Sequence, residues 1–294
     1  MLIRPTRIIK ECSYVKKARL RFLGIAVVII AQFYICSFAF AAGATTSLHL
    51  VKYNTDGVTV LAEKTVDYKW MERNLRVYGD GKTHYYHQGP VFEGNIWDPD
   101  EVKNLKDKGA VKGAALKDLC ELLGGMTAND EVMLVSVDKW HTEFAYDNIY
   151  EPQSAQGTIA LCWYNGEDAL EGEHYGVGYP ANNAYRTALQ IVFISEDTNK
   201  EGKRVFGNSD MKTTLTKQKY QHFFEGQYPS TNGLSGKWIT ELRICSGGKH
   251  GESDIKLESN PAAGLKSSLP WTPISLGLVG VVMIGAYFFI SRRK

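Results

Sequence analysis

The chain has 294 residues, a formal net charge of +2 and five cysteines. The charge is polarised: seven basic residues and Glu11 before residue 22 contribute +6 and the terminal Arg292-Arg293-Lys294 contributes +3, so everything between carries −7. An acidic main body argues against nucleic acid as partner, which demands clustered Lys and Arg, and the lack of C-x-x-C or framework spacing excludes a disulfide scaffold.

The basic segment runs into an apolar stretch, Phe22 to Phe40, that ends in Ala39-Phe40-Ala41. Basic, apolar, then small is the order of a secretory signal peptide. Residues 1–41 are therefore expected to direct export, with cleavage after Ala41; an uncleaved membrane anchor is the alternative. Cys120, Cys162 and Cys245 remain downstream. They supply either one bridge, Cys162–Cys245, or three small buried hydrophobes.

Residues 48–246 are long enough for one domain with a sizeable core. "HLVKYNTDGVTVLAEKTVDY" alternates around Thr55-Asp56-Gly57 and predicts a hairpin. "YKWMERNL" predicts one or two helical turns. "GDGKTHYYHQGPVFEGNIWDPDE" holds many Gly, Pro and aromatic residues and predicts a long loop. "KGAALKDLCELLGG" predicts the clearest helix, with Leu116, Leu119, Leu122 and Leu123 on one face and Gly124-Gly125 as its stop. "DEVMLVSV" and "TEFAYDNI" predict two strands about the turn Asp138-Lys139-Trp140-His141. "GTIALCWYNGE" predicts a buried strand, "ALQIVFIS" a central one, and "KWITELRI" a half-exposed closing strand. Many strands with few, irregularly placed helices indicate an α+β fold of mixed β-sheets.

Candidate site residues fall in four places. His84, Tyr85, Tyr86 and His87 offer metal-ligating or haem-ligating types, and imidazole suits Zn, Cu or Ni. In an extended segment, however, His84 and His87 face opposite sides, so His141, His174 or Asp98 would have to complete a metal site; aromatic packing is the alternative. Trp140 and His141 sit at a hairpin turn. "EGEHYGVGYPANNAYR" places His174, Tyr175, Tyr179, Asn182, Asn183, Tyr185 and Arg186 on a glycine-rich loop suited to a ligand rim. Asn208 and Asp210 follow the apolar strand and face either the same pocket or a turn. "WDPDE" lacks the glycine and spaced oxygens of an EF-hand. No G-x-S-x-G, H-E-x-x-H or phosphate-loop motif occurs.

The order of these pieces carries a resemblance. A G-x-x-L-x-x-L helix ending in Gly, a hairpin around an Asp-aromatic turn, a strand leading to "NGE", a "GYP" loop, "LQIVF" and "KWITELRI" follow one another over about 130 residues, 110–245. This resembles the oxidoreductase molybdopterin-binding domain, the sulfite-oxidase type of fold. The resemblance implies a cofactor pocket near Lys237-Trp238, Asn165-Gly166 and Gly178-Tyr179-Pro180. It also implies a molybdenum-ligating cysteine upstream of the helix, yet residues 43–119 contain none, and the basic cluster for the pterin phosphate is missing. A soft redox metal needs a thiolate or its replacement. The expectation is a domain that keeps the fold without the molybdenum chemistry.

Residues 247–270 are rich in Gly, Ser, Lys and Glu and read as a flexible stalk. Ile274 to Ile290 is an uninterrupted apolar run of 17 residues, near the lower limit for spanning a bilayer. Trp271 and Tyr287 suit the interfaces, and Arg292-Arg293-Lys294 should remain cytoplasmic. Residues 271–291 are thus expected to anchor the domain outside the cell. "LPWTP", Leu269 to Pro273, resembles the Leu-Pro-x-Thr motif of Gram-positive cell-wall sorting signals, which implies sortase cleavage after Thr272; Pro273 stands where that pattern has Gly. A plain single span is the alternative, and both put the domain at the cell surface.

Three functions are consistent with this organisation. The first is a surface-anchored, non-catalytic module that binds a small molecule or metal complex. The others are a molybdopterin oxidoreductase with an atypical site and a structural surface or adhesion protein.

Overall fold

The computed structural model describes residues 44–180 and 184–248. Thirteen strands and four short helices make up this segment, an α+β arrangement dominated by sheets. Among the described residues no helix is long and apolar enough to cross a membrane. The expected signal peptide with Ala41, the span with Thr272, the cytoplasmic tail, most of the stalk, and Asn182 and Asn183 lie outside the described residues.

The expected hairpin is present. β1 (Ser47–Tyr53) and β2 (Val60–Asp67) pair antiparallel across the 54–59 turn. Asp56 organises that turn by accepting from the Val58 and Thr59 amides at 2.9 and 2.8 Å, the self-capping behaviour that makes Asp a turn residue. Asp67 then caps helix α1 (Tyr68–Asn74), accepting from Trp70 N at 2.7 Å.

The largest sheet has the order β2-β1-β13-β6-β7, with β6 at Glu131–Ser136, β7 at His141–Ala145 and β13 at Ile239–Cys245. β13 runs parallel to β1 and antiparallel to β6, so the last strand fills the centre of the sheet. A second sheet has the order β5-β8-β9 (Val111–Ala115, Thr158–Asn165, Gln190–Ile194). A third has the order β10-β3-β4 (Arg204–Phe206, Tyr85–Gln88, Leu105–Asp107). A hairpin of β11 (Phe223–Phe224) and β12 (Tyr228–Pro229) completes the set. The three sheets share one core. Phe144 of β7 packs edge-on to Phe193 of β9 at 5.7 Å, and Phe193 stacks on Phe206 of β10 at 4.2 Å. Such aromatic pairs add to the burial of the rings themselves.

Four expectations need correction. The stretch around "THYYHQGP" is not wholly loop: Tyr85–Gln88 form β3, all four buried, because β4 and β10 pair with both of its edges. The helix over "KGAALKDLCELLGG" begins only at Leu116, as α2 (Leu116–Glu121), since Val111–Ala115 pair with β8. "TEFAYDNI" is strand only to Ala145 and continues as α3 (Tyr146–Tyr150). β9 is an edge of its sheet, not its centre, although all five of its residues are buried. Its outward amides are paired from elsewhere: Ile191 N donates to Gly236 O at 2.9 Å, and Phe193 N donates to His87 Nε2 at 3.1 Å. An apolar edge that is covered and hydrogen-bonded reads in sequence like an interior strand.

Candidate functional site

His87 in β3 and His84 just before it enter different environments. His84 Nδ1 donates to the Asp107 carboxylate at 2.9 Å, and Nε2 donates to Glu167 at 3.3 Å. Burial opposes charge on this ring, but Asp107 and then Glu167 outweigh it and raise its pKa. His87 is fully buried between Phe193 and Phe206. Burial, and then the charge of Lys108, hold it neutral well below the usual histidine range. Because its Nε2 accepts from Phe193 N, the proton sits on Nδ1. Tyr85 and Tyr86, in β3 itself, are buried, their phenols pushed up chiefly by burial. His84 and His87 therefore share no site. Among the described residues no group of three His, Cys, Asp or Glu side chains is placed to hold a metal.

A cleft of about 520 Å³ lies where the β6–β7 turn meets the segment Ser230–Trp238. Trp140, Phe224 and Trp238 give it apolar walls, and Asp138, His222, Asn232 and Lys237 give it polar ones. Glycines admit the rings: a Cβ on Gly236 would stand 2.0 Å from the Trp140 ring, and one on Gly233 would stand 2.0 Å from the His222 ring. Trp238 adopts φ 53, a left-handed backbone that is a real outlier for a bulky residue. Its Nε1 donates to Arg186 O at 3.0 Å, which fixes the indole at the rim. Strained backbone of this kind collects at ligand sites.

Behind Asn232 lies a lysine that is 1% exposed, Lys108, directly after β4. Its Nζ donates to Asn232 Oδ1 at 2.6 Å and to Tyr175 Oη at 3.2 Å. Lys108 and Lys237 place their ammonium groups 5.4 and 4.8 Å from the same Tyr175 ring. Burial, and then the neighbouring Lys237 charge, push the Lys108 pKa down to about 7. Lys237 is paired with Glu173 at the surface.

The remaining predicted residues scatter. Trp140 lines the cleft, and His141 lines an adjoining cavity of about 210 Å³ with Lys219, Tyr220 and His222. Arg186 touches the cleft only through its carbonyl, while its guanidinium donates to His174 O at 2.6 Å. His174 is exposed beside Asp168 at 3.4 Å. Tyr179 donates to Glu72 at 2.8 Å and tilts against Tyr68 and Tyr164, away from the cleft. Asn208 opens helix α4 (Asn208–Thr214) as a buried brace, taking Thr231 N on Oδ1 at 3.0 Å and giving Nδ2 to Gly89 O at 3.1 Å. Asp210 lies against Glu101, whose carboxyl is raised to about 8 by burial and then by Asp210. In "WDPDE", Asp98 accepts from Gln88 Nε2 and the Val102 and Lys103 amides, which makes it a turn brace.

Lys108 and Tyr175 form a buried polar cluster behind Asn232, which itself lines the cleft. Tyr175 was visible as a loop tyrosine. The signal for the others was the glycine-spaced run S-T-N-G-L-S-G-K-W, together with the charged run Lys106-Asp107-Lys108 before Gly109-Ala110.

The molybdopterin that the resemblance implies does not fit these residues. Cys120 and Cys162 are wholly buried and Cys245 nearly so, and none forms a disulfide. Burial raises all three thiols, Cys245 to about 12, so none supplies a thiolate to a soft metal. Comparison with known proteins adds no constraint: no protein-family model matches the chain, and no curated protein matches it.

Proposed function

We propose that this chain is a surface-anchored, non-catalytic module that binds a small extracellular molecule in the Trp140–Trp238 cleft. The observation that carries the reading is the combination in that cleft of aromatic walls, a tryptophan on strained backbone and a small set of convergent polar groups, the usual composition of a ligand pocket. Export and anchoring rest on the two apolar segments and the terminal basic tripeptide. The sulfite-oxidase-like fold is part of the same proposal. It is supported by the order of elements along the chain and by the position of Lys237-Trp238 at the cleft. The buried cysteines and the lack of a metal-holding cluster among the described residues favour binding over redox chemistry.

The test is native mass spectrometry and elemental analysis of the full chain, purified gently from cells that express it. A co-purifying small molecule released by Trp238→Ala is the expected result. Stoichiometric molybdenum with a pterin overturns the non-catalytic reading, and a bare chain points to a structural surface protein. For the anchor, Thr272→Ala separates the routes: loss of wall attachment identifies sortase, and unchanged membrane retention identifies a plain span.

A further inference from the structure

We infer that the cleft ligand is an organic carboxylate, its anionic group held at Lys108 and Lys237 and its flat body laid against Trp140 and Trp238. The inference deepens the reading just proposed and rests on it.

Lysine ammonium has three donors. Tyr175 and Asn232 accept two from Lys108, and both are neutral. Among the described residues no third acceptor lies within hydrogen-bond distance. A buried ammonium with no carboxylate in hydrogen-bond contact is costly; Glu173 and Asp107 favour its charge only from a distance, and a second ammonium on the same tyrosine ring adds to the cost. The nearest carboxylate in sequence, Asp107, is committed elsewhere. It takes His84 Nδ1, Gly109 N at 2.7 Å and Leu170 N at 2.8 Å. Glu173, the partner of Lys237, has a side chain 65% exposed and is readily displaced by a ligand.

Asn232 links the two environments. It lines the cleft, and its Oδ1 accepts from Lys108. A carboxylate entering at Asn232 meets the Lys237 ammonium on the wall and reaches the Lys108 ammonium by taking the place of Asn232 Oδ1, with Asp138, also in the lining, the one acid it must avoid. In a site drier than bulk water, charge-assisted hydrogen bonds are strong. The walls select the rest of the molecule. Trp140, Phe224 and Trp238 offer faces for a ring, and a volume of about 520 Å³ exceeds what a bare inorganic anion fills.

The test is titration of the purified full chain at about pH 6 with benzoate, glucuronate, benzamide, methyl glucoside and inorganic phosphate, read by tryptophan fluorescence and calorimetry. Benzoate represents a planar aromatic acid and glucuronate an acidic sugar, so their ranking identifies the source of the carboxylate. One of the two acids is expected to bind at least tenfold more tightly than its neutral counterpart and than phosphate. Lys237→Gln and Lys108→Met should each weaken it by roughly 10- to 100-fold, the worth of one charge-assisted hydrogen bond. Circular dichroism of each variant checks that the fold persists, and Lys237→Gln alters a half-buried position even if Lys108→Met fails to fold. If the neutral probes bind as well as the acids, the anion inference falls and the cleft reading stands. If the acids bind but neither lysine variant weakens them, the inference also falls. If no probe binds, the inference falls, and the co-purification experiment above decides the fate of the cleft on its own.

Discussion

Replacing Lys108 by methionine exchanges a buried amine for an apolar chain of similar length, and the effect on stability should change with pH. In the native chain the ammonium is lost above about pH 7, whereas in the unfolded chain it persists to about 10.5. Between those values the unfolded chain binds more protons, so native stability rises with pH across this window and is lowest below pH 7. The slope for one group is about 1.4 kcal/mol per pH unit, so the rise from pH 7 to 10 is about 4 kcal/mol. Lys108→Met lacks this dependence. The variant should therefore gain on the wild type at pH 6 and lose that advantage by pH 10, because below pH 7 only the wild type buries an uncompensated charge. Asn232 borders the cleft and can turn its amide to water, which limits the cost of the lost hydrogen bond. Urea unfolding of both proteins without added anions, followed by tryptophan fluorescence at pH 6 and 10, measures the double difference. A difference that stays constant between those pH values would refute the reasoning, since it would mean that Lys108 keeps its charge at ordinary cost.

Glu101 predicts the opposite slope. Its carboxyl is raised from 4.5 to about 8 in the native chain, so the native state binds more protons between those values and loses stability as pH rises through them; Glu101→Gln should flatten thermal unfolding profiles taken between about pH 5 and 9. Thr231→Val keeps the shape of a buried side chain but removes the hydroxyl that takes Gln88 N and gives to Phe206 O, both at 2.7 Å. Urea unfolding should report a loss of about 1–3 kcal/mol, the penalty for stranding buried backbone groups. Gly166→Ala would set a Cβ 1.9 Å from Gly81 O; the overpacking should cost about 1–3 kcal/mol, and a variant as stable as the wild type would show that the Gly79–Gly81 turn yields freely.

The parts of the fold legible in the sequence were those whose patterns depend on near neighbours. β1, β2 and the Asp56-Gly57 turn show alternation and local self-capping within about 20 residues. α1 announces its start with Asp67. What sequence reasoning missed depends on partners distant in the chain. β3 looked like loop because its Gly and Pro neighbours dominate the local signal, while its pairing partners lie at residues 105–107 and 204–206. β5 looked helical because Gly113, Ala114 and Ala115 fit either period, and only β8 decides. The site was half legible for the same reason. Lys237-Trp238 and Trp140 were singled out as positions, but Lys108 becomes unusual only once Asn232 and Tyr175, 124 and 67 residues away, close over it.

The histidine pair that looked most like a site acts on the cleft indirectly. Asp107 directly precedes Lys108 and would be the natural counter-ion for a buried ammonium. His84 prevents this by holding both Asp107 oxygens, at 3.0 and 2.9 Å, while the Gly109 and Leu170 amides take up the remaining acceptor capacity. The influence of Asp107 on Lys108 is accordingly weaker than that of Lys237, which acts in the opposite sense. His87, three residues on, holds β9 in place through Phe193 N. On the same edge of β9, Ile191 N holds Gly236 O, and Gly236 is the residue on which the Trp140 ring rests. One short buried strand and the residue before it thus bear on both halves of the pocket. His84 engages the carboxylate next to Lys108, and His87 supports the scaffold beneath the aromatic wall.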